Sequence, residues 1–368
     1  MRVIREAFLS TRHARIQFGA IIAVFMFMAL YIPYNTGTYW PLFIAYVMSY
    51  AVLSMSWNFF SGKSGYVSLA TAAFYGLGMY VQAIYGRQIP LVGTMLISAA
   101  LAFAVGFLIG VVTLRLRGIY FTIFTFGLTL FLNKFVHWYE GRFTRTKGRM
   151  IKYVDNTTIF YAMLIVFFIA LIAVLLLNKS KFGLSLKCIG QNEDSAQHIG
   201  VNTTMTKVLA FSISAAPIGA IGALLSTATG YIDADIAFKM NATFFPVLMV
   251  IFGGIGTLYG PIIGAVAFYV LQDYLIKATP FYMIIFGAIM VIVVLLMPKG
   301  VFGFVEMLTA KIRGGSGVDP GGGSGSGAER GLGGGAGSGS GAERGLGSGS
   351  GSSSNADGID GREVTDDA

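Results

Sequence analysis

The residues that could carry chemistry gather in one short stretch, Gly183–Asn202. Its sequence, GLSLKCIGQNEDSAQHIGVN, is polar, whereas long apolar segments flank it on both sides. Its charged, amide and imidazole side chains are Lys187, Gln191, Asn192, Glu193, Asp194, Gln197 and His198. Such groups form ion pairs and hydrogen bonds. We call this stretch the polar island and ask why so apolar a chain keeps it.

Patterns typical of enzymes do not occur elsewhere in the sequence. There is no HExxH or GxSxG pattern, and the three histidines are far apart. The stretch SGKSG, Ser61–Gly65, resembles part of a phosphate-binding loop, but Trp57 stands where that loop needs its first glycine. The single cysteine, Cys188, excludes an internal disulfide and a multi-cysteine metal site. We therefore expect no enzyme activity, no cofactor and no bound metal.

The composition indicates a membrane protein. Hydrophobic residues make up 55% of the 368 residues and charged residues only 12%, whereas soluble domains carry about 25% charged residues. Apolar stretches long enough to cross a bilayer, about 17 residues or more, recur along the chain. Open strand edges do not survive in lipid, so the predicted fold is an all-α integral membrane protein.

Hydropathy predicts a polytopic bundle of ten transmembrane helices. The predicted spans are Phe18–Pro33, Pro41–Phe60, Tyr66–Tyr85, Leu91–Leu114, Ile119–Trp138, Ile159–Asn178, Met205–Ala228, Thr243–Leu258, Pro261–Ile276 and Phe281–Met297. Residues 1–17 form a cytoplasmic N-terminal segment, 18–300 the transmembrane domain, and 179–204 a cytoplasmic loop within it. Positive charges orient the bundle with both termini inside, namely Arg2, Arg5, Arg12, Arg15, Arg115, Arg117, Lys179, Lys181, Lys187, Lys299, Lys311 and Arg313.

One loop departs from the positive-inside rule. The segment Tyr139–Asn156 is predicted to lie outside, yet it holds five cations, Arg142, Arg145, Lys147, Arg149 and Lys152. Two interpretations remain open: the number of spans differs by one, or the loop has a task on the outer side.

The C-terminal tail, residues 314–368, is rich in glycine and serine and is predicted to be disordered. Both a native tail and an added extension fit this composition. The tail carries three arginines and eight acidic residues, so the rest of the chain carries +14 when the whole chain carries a net charge of +9. This basic character suits membrane orientation and anionic lipid headgroups. Without a soluble basic domain, it does not indicate nucleic-acid binding.

The polar island is predicted to form one short helix at the cytoplasmic face. Ser185 can cap its start, and Gly200 can end it in a left-handed conformation. About three turns are too few to span a bilayer. Glu193 and Asp194 are expected to be exposed, with no structural partner. An ordinary interfacial connector would explain the polarity but not the two caps.

Three motifs resemble those of a known family. The island and the residues after it match a signature loop at Gly183, Lys187, Glu193, Ala196, Gly200, Val201, Asn202, Lys207, Ala210 and Phe211. Leu114–Gly127 and Phe252–Ala265 resemble two further motifs of that family, and the stretch GKSGYVSLATAAFYGLGMY is a weaker match. The sequence thus resembles the permease subunits of branched-chain amino-acid ABC importers, of the LivM type.

The sequence also departs from that family at several positions. Gly190 stands where the family usually has arginine, and Cys188 stands where it has alanine. The early motif lacks its usual histidine, with Thr71 or Ala72 near that place. These departures concern the solute more than the architecture.

The resemblance implies a subunit that moves a small amino acid, branched-chain in type, across a prokaryotic inner membrane. Its partners would be a homologous second permease, two ATPase subunits that hydrolyse ATP, and a periplasmic or extracellular solute-binding protein. The island would be the coupling helix, with Gly183, Lys187, Glu193, Asp194, Gly200 and Lys207 at or near the ATPase contact. The translocation pathway would involve Tyr120, Thr122, Thr125, Gly253, Gly254 and Gly256. The binding protein would dock on Arg142, Arg145, Lys147 and Arg149.

Two alternatives stay open. Within the same class, the solute could be urea, a short amide or another small amino acid. Outside it, the chain could be a stand-alone secondary carrier or a channel. Such carriers usually need a buried acidic relay, and Asp273 alone is thin evidence for one.

Overall fold

The computed structural model describes residues 39–116, 118–144, 148–281, 284–288 and 291. The predicted first span Phe18–Pro33, the N-terminal segment 1–17 and the tail 314–368 lie outside these residues, as does most of the predicted last span. All described residues belong to one compact unit, Met1–Gly315.

The described part is almost entirely helical. In chain order its helices are α1 Tyr39–Ser64, α2 Thr71–Tyr85, α3 Leu91–Thr113, α4 Ile119–Tyr139, α5 Asn156–Lys179, α6 Lys181–Gln191, α7 Glu193–His198, α8 Thr203–Thr229, α9 Ala234–Ala237, α10 Asn241–Gly253 and α11 Gly260–Ala278. A π-helical turn, Glu140–Thr144, follows α4. Two short strands, β1 Arg149–Met150 and β2 Tyr231–Ile232, pair antiparallel.

Seven stretches of the described residues are long and apolar enough to cross a membrane. They are Tyr39–Ser64, Leu91–Thr113, Ile119–Phe143, Asn156–Lys179, Thr203–Thr229, Ala234–Gly253 and Gly260–Ala278. The protein is thus an all-α polytopic membrane protein. Each stretch corresponds to a predicted span, although the sixth contains a break between α9 and α10.

The predicted span Tyr66–Tyr85 is not one helix. Only α2, 15 residues long, is helical, and Tyr66–Ala70 before it has no regular structure. Serine side chains bond the backbone here: Tyr66 N–H donates to Ser64 Oγ (3.2 Å) and Ala70 N–H to Ser68 Oγ (3.3 Å). Such local bonds compete with the helix, so hydropathy predicted the segment but not its break.

Helix α8 lies at the centre of the bundle. In the most apolar 18 residues of α8, 78% of the residues are buried, compared with 17% for the corresponding part of the stretch that contains α4. Small residues let it approach its neighbours: a Cβ on Gly78 would lie 2.0 Å from Gly219 O, and one on Gly222 would lie 2.1 Å from Tyr75 O. Glycine at both places allows backbones to touch, as small-residue packing in membranes requires.

The two ends of the bundle carry different structures. Strand β1 precedes α5 and pairs with β2, the pairs being Arg149 with Ile232 and Met150 with Tyr231. Helices α6 and α7 follow α5 directly. Because α5 is a single long helix of 24 residues, the strand pair and the polar island lie at opposite ends of the molecule.

Candidate functional site at the polar island

The polar island folds as two helices, each with its own cap. Ser180 caps α6 by accepting a hydrogen bond from Gly183 N–H (3.2 Å), and Asn192 caps α7 by accepting one from Ser195 N–H (2.9 Å). The prediction of a single helix capped by Ser185 is wrong. Ser185 lies within α6, where its hydroxyl donates to Lys181 O (3.0 Å), and the extended backbone of Asn192 breaks the helix.

Gly200 ends α7 as the sequence predicts. Its φ of 85° is left-handed, which glycine adopts without a Cβ penalty. Gly200 N–H donates to Gln197 O (2.9 Å) and Val201 N–H to Ala196 O (3.0 Å). These bonds satisfy carbonyls that the end of a helix leaves open, so α7 is fixed at both ends.

The inner face of α6 is pressed against the end of α1. Leu186 and Ile189 are buried, and a Cβ on Gly190 would lie only 1.9 Å from Lys63 O. An arginine, the residue that the resemblance leads us to expect here, cannot occupy this position without a backbone shift. Gly183 is equally close to the preceding helix, since its Cβ would lie 2.2 Å from Leu177 O.

The structure separates the charges assigned to coupling into two groups. Lys187 and Asp194 are exposed on the island surface. Lys207 is only 2% exposed, and its Nζ lies 2.6 Å from Glu193 Oε1. The expectation that Glu193 is an exposed acid without a structural partner is therefore wrong, because its side chain is 17% exposed and ion-paired.

Tyr66 completes this buried group. Its hydroxyl donates to Glu193 Oε2 (2.6 Å) and accepts from Lys207 Nζ (3.2 Å). The Lys207 ammonium also lies 4.6 Å from the centroid of the Tyr66 ring and 3.5 Å from Leu114 O. Sequence reasoning missed Tyr66. The only signal was a lysine near the start of an apolar span and an acid fourteen residues before it.

The non-helical segment Tyr66–Ala70 is held by side chains of the surrounding helices. Trp57 Nε1 donates to Ser68 O (2.7 Å). On α4, Thr122 Oγ1 donates to Val67 O (2.9 Å), Thr125 Oγ1 accepts from Leu69 N–H (3.0 Å), and Thr129 Oγ1 donates to Leu69 O (3.2 Å). Backbone polar groups inside a membrane protein need such partners, because lipid supplies none.

The residues assigned to the pathway take different positions. Tyr120 is 69% exposed, whereas Thr125 is fully buried. Gly253 is the last residue of α10, and Gly254 and Gly256 belong to the turn between α10 and α11. In this turn the Asn58 side-chain amide donates to Thr257 O (2.7 Å) and accepts from Gly256 N–H (2.8 Å). The threonines and the glycine turn therefore both lie against the stretch 58–69.

The basic loop, Tyr139–Asn156, lies only partly within the described residues. Arg142 is exposed in the π-helical turn. Arg149 lies in β1, where its Nε is 3.7 Å from the buried Glu140 Oε1, so much of its charge faces inward. Arg145 and Lys147 lie outside the described residues.

These features define a polytopic helical membrane protein with a rigid polar helix pair at one end and a buried break beside it. The family model for the permease component of the branched-chain amino acid transport system matches residues 41–294. The chain belongs to this family.

Curated relatives agree with the family model. LivM, the permease protein of the high-affinity branched-chain amino acid transport system, is 26% identical in Salmonella typhimurium over 69% of this chain and 67% of the relative. LivH of Escherichia coli, a second permease protein of that system, is 25% identical over 70% of this chain and 92% of its own. LsrC, a permease protein of the autoinducer 2 import system in Salmonella paratyphi B, is 26% identical over 51% and 56%. No solved structure matches.

Proposed function

We propose that this protein is the permease subunit of an ABC importer that carries a branched-chain amino acid across a prokaryotic inner membrane. The observation that carries the proposal is the doubly capped polar island, which lies within the segment that matches the family. The relatives LivM, LivH and LsrC are bacterial permease proteins, which supports an inner-membrane location. ATP hydrolysis takes place on separate subunits.

The island is the ATPase contact in this proposal. Lys187 and Asp194 are exposed, and two side-chain caps and a left-handed glycine hold the helices that carry them. A rigid helix transmits the movement of a docked partner, whereas a frayed one would absorb it. The buried Glu193 and Lys207 act behind this surface rather than on it.

The proposed assembly contains a second, homologous permease. LivM and LivH are both relatives of this chain and both are permease proteins of one transport system. The exposed face of α4, with Tyr120 and Thr122 near one end, borders the solute pathway in the assembly. The turn at Gly253–Gly256 gives the adjoining helices room to shift.

The basic loop, Tyr139–Asn156, docks a solute-binding protein on the outer side of the membrane. Arg142 is available for this contact, and Arg145 and Lys147 follow it in sequence. Electrostatic attraction between the loop and an acidic lobe would chiefly raise the association rate, and salt would weaken it.

The amino-acid solute is favoured by the extent of the similarity. The LivM and LivH matches cover about 70% of this chain, whereas the LsrC match covers 51%. An autoinducer 2 permease thus shares a smaller part of the sequence.

The experiment isolates the complex through an affinity tag on this chain in mild detergent and determines its subunit masses. We expect a second permease and two ATPase copies. In proteoliposomes that complex should take up radiolabelled leucine only with ATP and binding protein. Isolation of this chain alone, together with leucine transport that needs no ATP, would contradict the proposal.

Charge reversal on the island tests the docking surface. Asp194→Lys combined with Lys187→Glu should reduce co-purification of the ATPase, because rim charges that complement a partner become repulsive. The exposed Lys152→Glu, at the opposite end of α5, is the matched control and should leave the ATPase bound. Equal ATPase recovery in all variants would place the contact elsewhere.

A further inference from the structure

We propose that Tyr66, Glu193 and Lys207 form a buried link that carries displacement of α7 to the segment Tyr66–Ala70, with Tyr66 as the positioning residue. This inference rests on the proposed function and adds the route from the island into the bundle. None of the three residues touches solute or nucleotide in it.

The first part of the link is a closed ring of polar contacts. Lys207 Nζ donates to Glu193 Oε1 (2.6 Å) and to the Tyr66 hydroxyl (3.2 Å), and that hydroxyl donates to Glu193 Oε2 (2.6 Å). Every member therefore contacts both others. Since charge-assisted bonds are the strong ones, the three side chains move as one body.

Burial makes the ring costly to open. Lys207 is 2% exposed and Tyr66 is 9% exposed. Separating a buried ion pair leaves a charge without compensation in a medium of low dielectric constant. A shift of α7 therefore moves the Glu193 carboxylate together with Lys207 and Tyr66, and the hydrogen bonds among the three stay intact.

The second part of the link begins at the Tyr66 backbone. The chain from Tyr66 to Ala70 has no helix of its own to resist movement, and its backbone is hydrogen-bonded to Thr122, Thr125 and Thr129 on α4. Just after the segment, in the first turn of α2, Ala72 N–H donates to Thr243 Oγ1 on α10 (3.4 Å). A displacement of Tyr66 therefore reaches the two helices that flank the proposed pathway.

The decisive variant is Tyr66→Phe. It removes only the hydroxyl that joins the ion pair to the segment. The aromatic ring of residue 66 still packs against Phe121 and Lys207. Tyr80→Phe is the matched control, because the Tyr80 hydroxyl lies near Glu140 beside the strand pair, at the end of the bundle opposite the polar island. The neutral double variant Glu193→Gln with Lys207→Met opens the ring without leaving a lone buried charge.

The measurement is the number of solute molecules transported per ATP hydrolysed by the reconstituted complex. For Tyr66→Phe we expect a fall of about tenfold, the equivalent of one hydrogen bond to a charged group, with ATPase activity and thermal midpoint retained. The double variant should fall at least as far, and Tyr80→Phe should match the wild type. A purely structural role would lower the thermal midpoint instead of the ratio.

A second readout follows the segment itself. Val67 is 40% exposed, so Val67→Cys in a Cys188→Ser background can report on it through its rate of labelling by a thiol reagent. Binding of a non-hydrolysable ATP analogue should change that rate in the wild-type complex and not in Tyr66→Phe. An unchanged rate in the former, or an unchanged transport ratio in the latter, would overturn the inference.

The two proposals fail in different ways. A wild-type complex that shows no ATP-dependent uptake refutes the importer and this link with it. If the wild type shows ATP-dependent uptake and Tyr66→Phe transports as many solute molecules per ATP as the wild type, only the link is refuted.

Discussion

Gly190 allows α6 to pack closely against the end of α1, because it has no side chain. The α-carbon of Gly190 faces the last turn of α1 so closely that a Cβ would lie 1.9 Å from Lys63 O. Real Cβ atoms do not approach a carbonyl oxygen to that distance, so any other residue forces the backbones apart. The place of α6 on the bundle thus depends on this glycine.

Gly190→Ala is expected to destabilise the protein by about 1–3 kcal/mol, the usual cost of overpacking. The measurement is the midpoint of thermal inactivation in detergent, which should fall. Gly127→Ala is the matched control, because a Cβ at Gly127 in α4 meets no atom within 4 Å. A Gly190→Ala protein as stable as the control would mean that α6 does not lie this close to α1.

Gly200 is limited by its backbone and not by its neighbours. No atom lies within 4 Å of its Cβ position, but its φ of 85° is unfavourable for branched side chains. Gly200→Val should therefore cost roughly 1–2 kcal/mol and loosen the end of α7. Hydrogen exchange of the α7 amides measures this, with Gly200→Asn as a tolerated left-handed control and Cys188→Ala as a neutral one. Equal protection in all three variants would contradict the argument.

At the scale of elements, the break before α2 and the division of the island have one cause. Side chains of serine, threonine and asparagine bond to backbone groups that a continuous helix would have used. Hydropathy reports only whether a segment is apolar, so it predicted the spans that became α1, α3, α4, α5, α8 and α11. It could not report the cap at Asn192 or the five non-helical residues before α2.

Thr125 tests the break directly. Its Oγ1 accepts from Leu69 N–H at 3.0 Å in a fully buried place. Thr125→Val keeps the shape but leaves that N–H unpaired, which should cost about 1–3 kcal/mol. The thermal midpoint should fall, whereas Thr229→Val, whose hydroxyl donates to Ser226 O in the same helix, should change it little. No difference between the two would mean that water or another group pairs with Leu69.

At the scale of the whole molecule, the prediction of a helical bundle and of its family is confirmed. The ion pair between Glu193 and Lys207 was not predicted, since no periodicity specifies which charges meet after folding. The number of ten spans and the side of each terminus stay predictions, as do the assigned coupling, pathway and docking residues. The predicted span Phe18–Pro33 belongs to residues 1–38, which lie outside the described part of the chain.

Orientation is a property of the whole molecule and can be measured with two cysteines. In a Cys188→Ser background, Arg142→Cys should be labelled by a membrane-impermeant thiol reagent on intact cells, and Asp194→Cys only after permeabilisation. The physical reason is that the two sites lie at opposite ends of α5, and that the island carries the inside cations. Labelling of Arg142→Cys only after permeabilisation would place the basic loop inside.

The central position of α8 also bears on how the protein is made. The ribosome synthesises α1, α2, α3, α5 and α6 before α8, yet all five pack against it. Until residues 203–229 enter the bilayer, the earlier helices lack the central helix against which they pack. The Tyr66 hydroxyl likewise lacks its hydrogen bond from Lys207, which has not yet been synthesised. Membrane insertion and final packing are therefore separate stages here. In that interval the surfaces of the earlier helices that α8 later covers must face lipid or the insertion machinery.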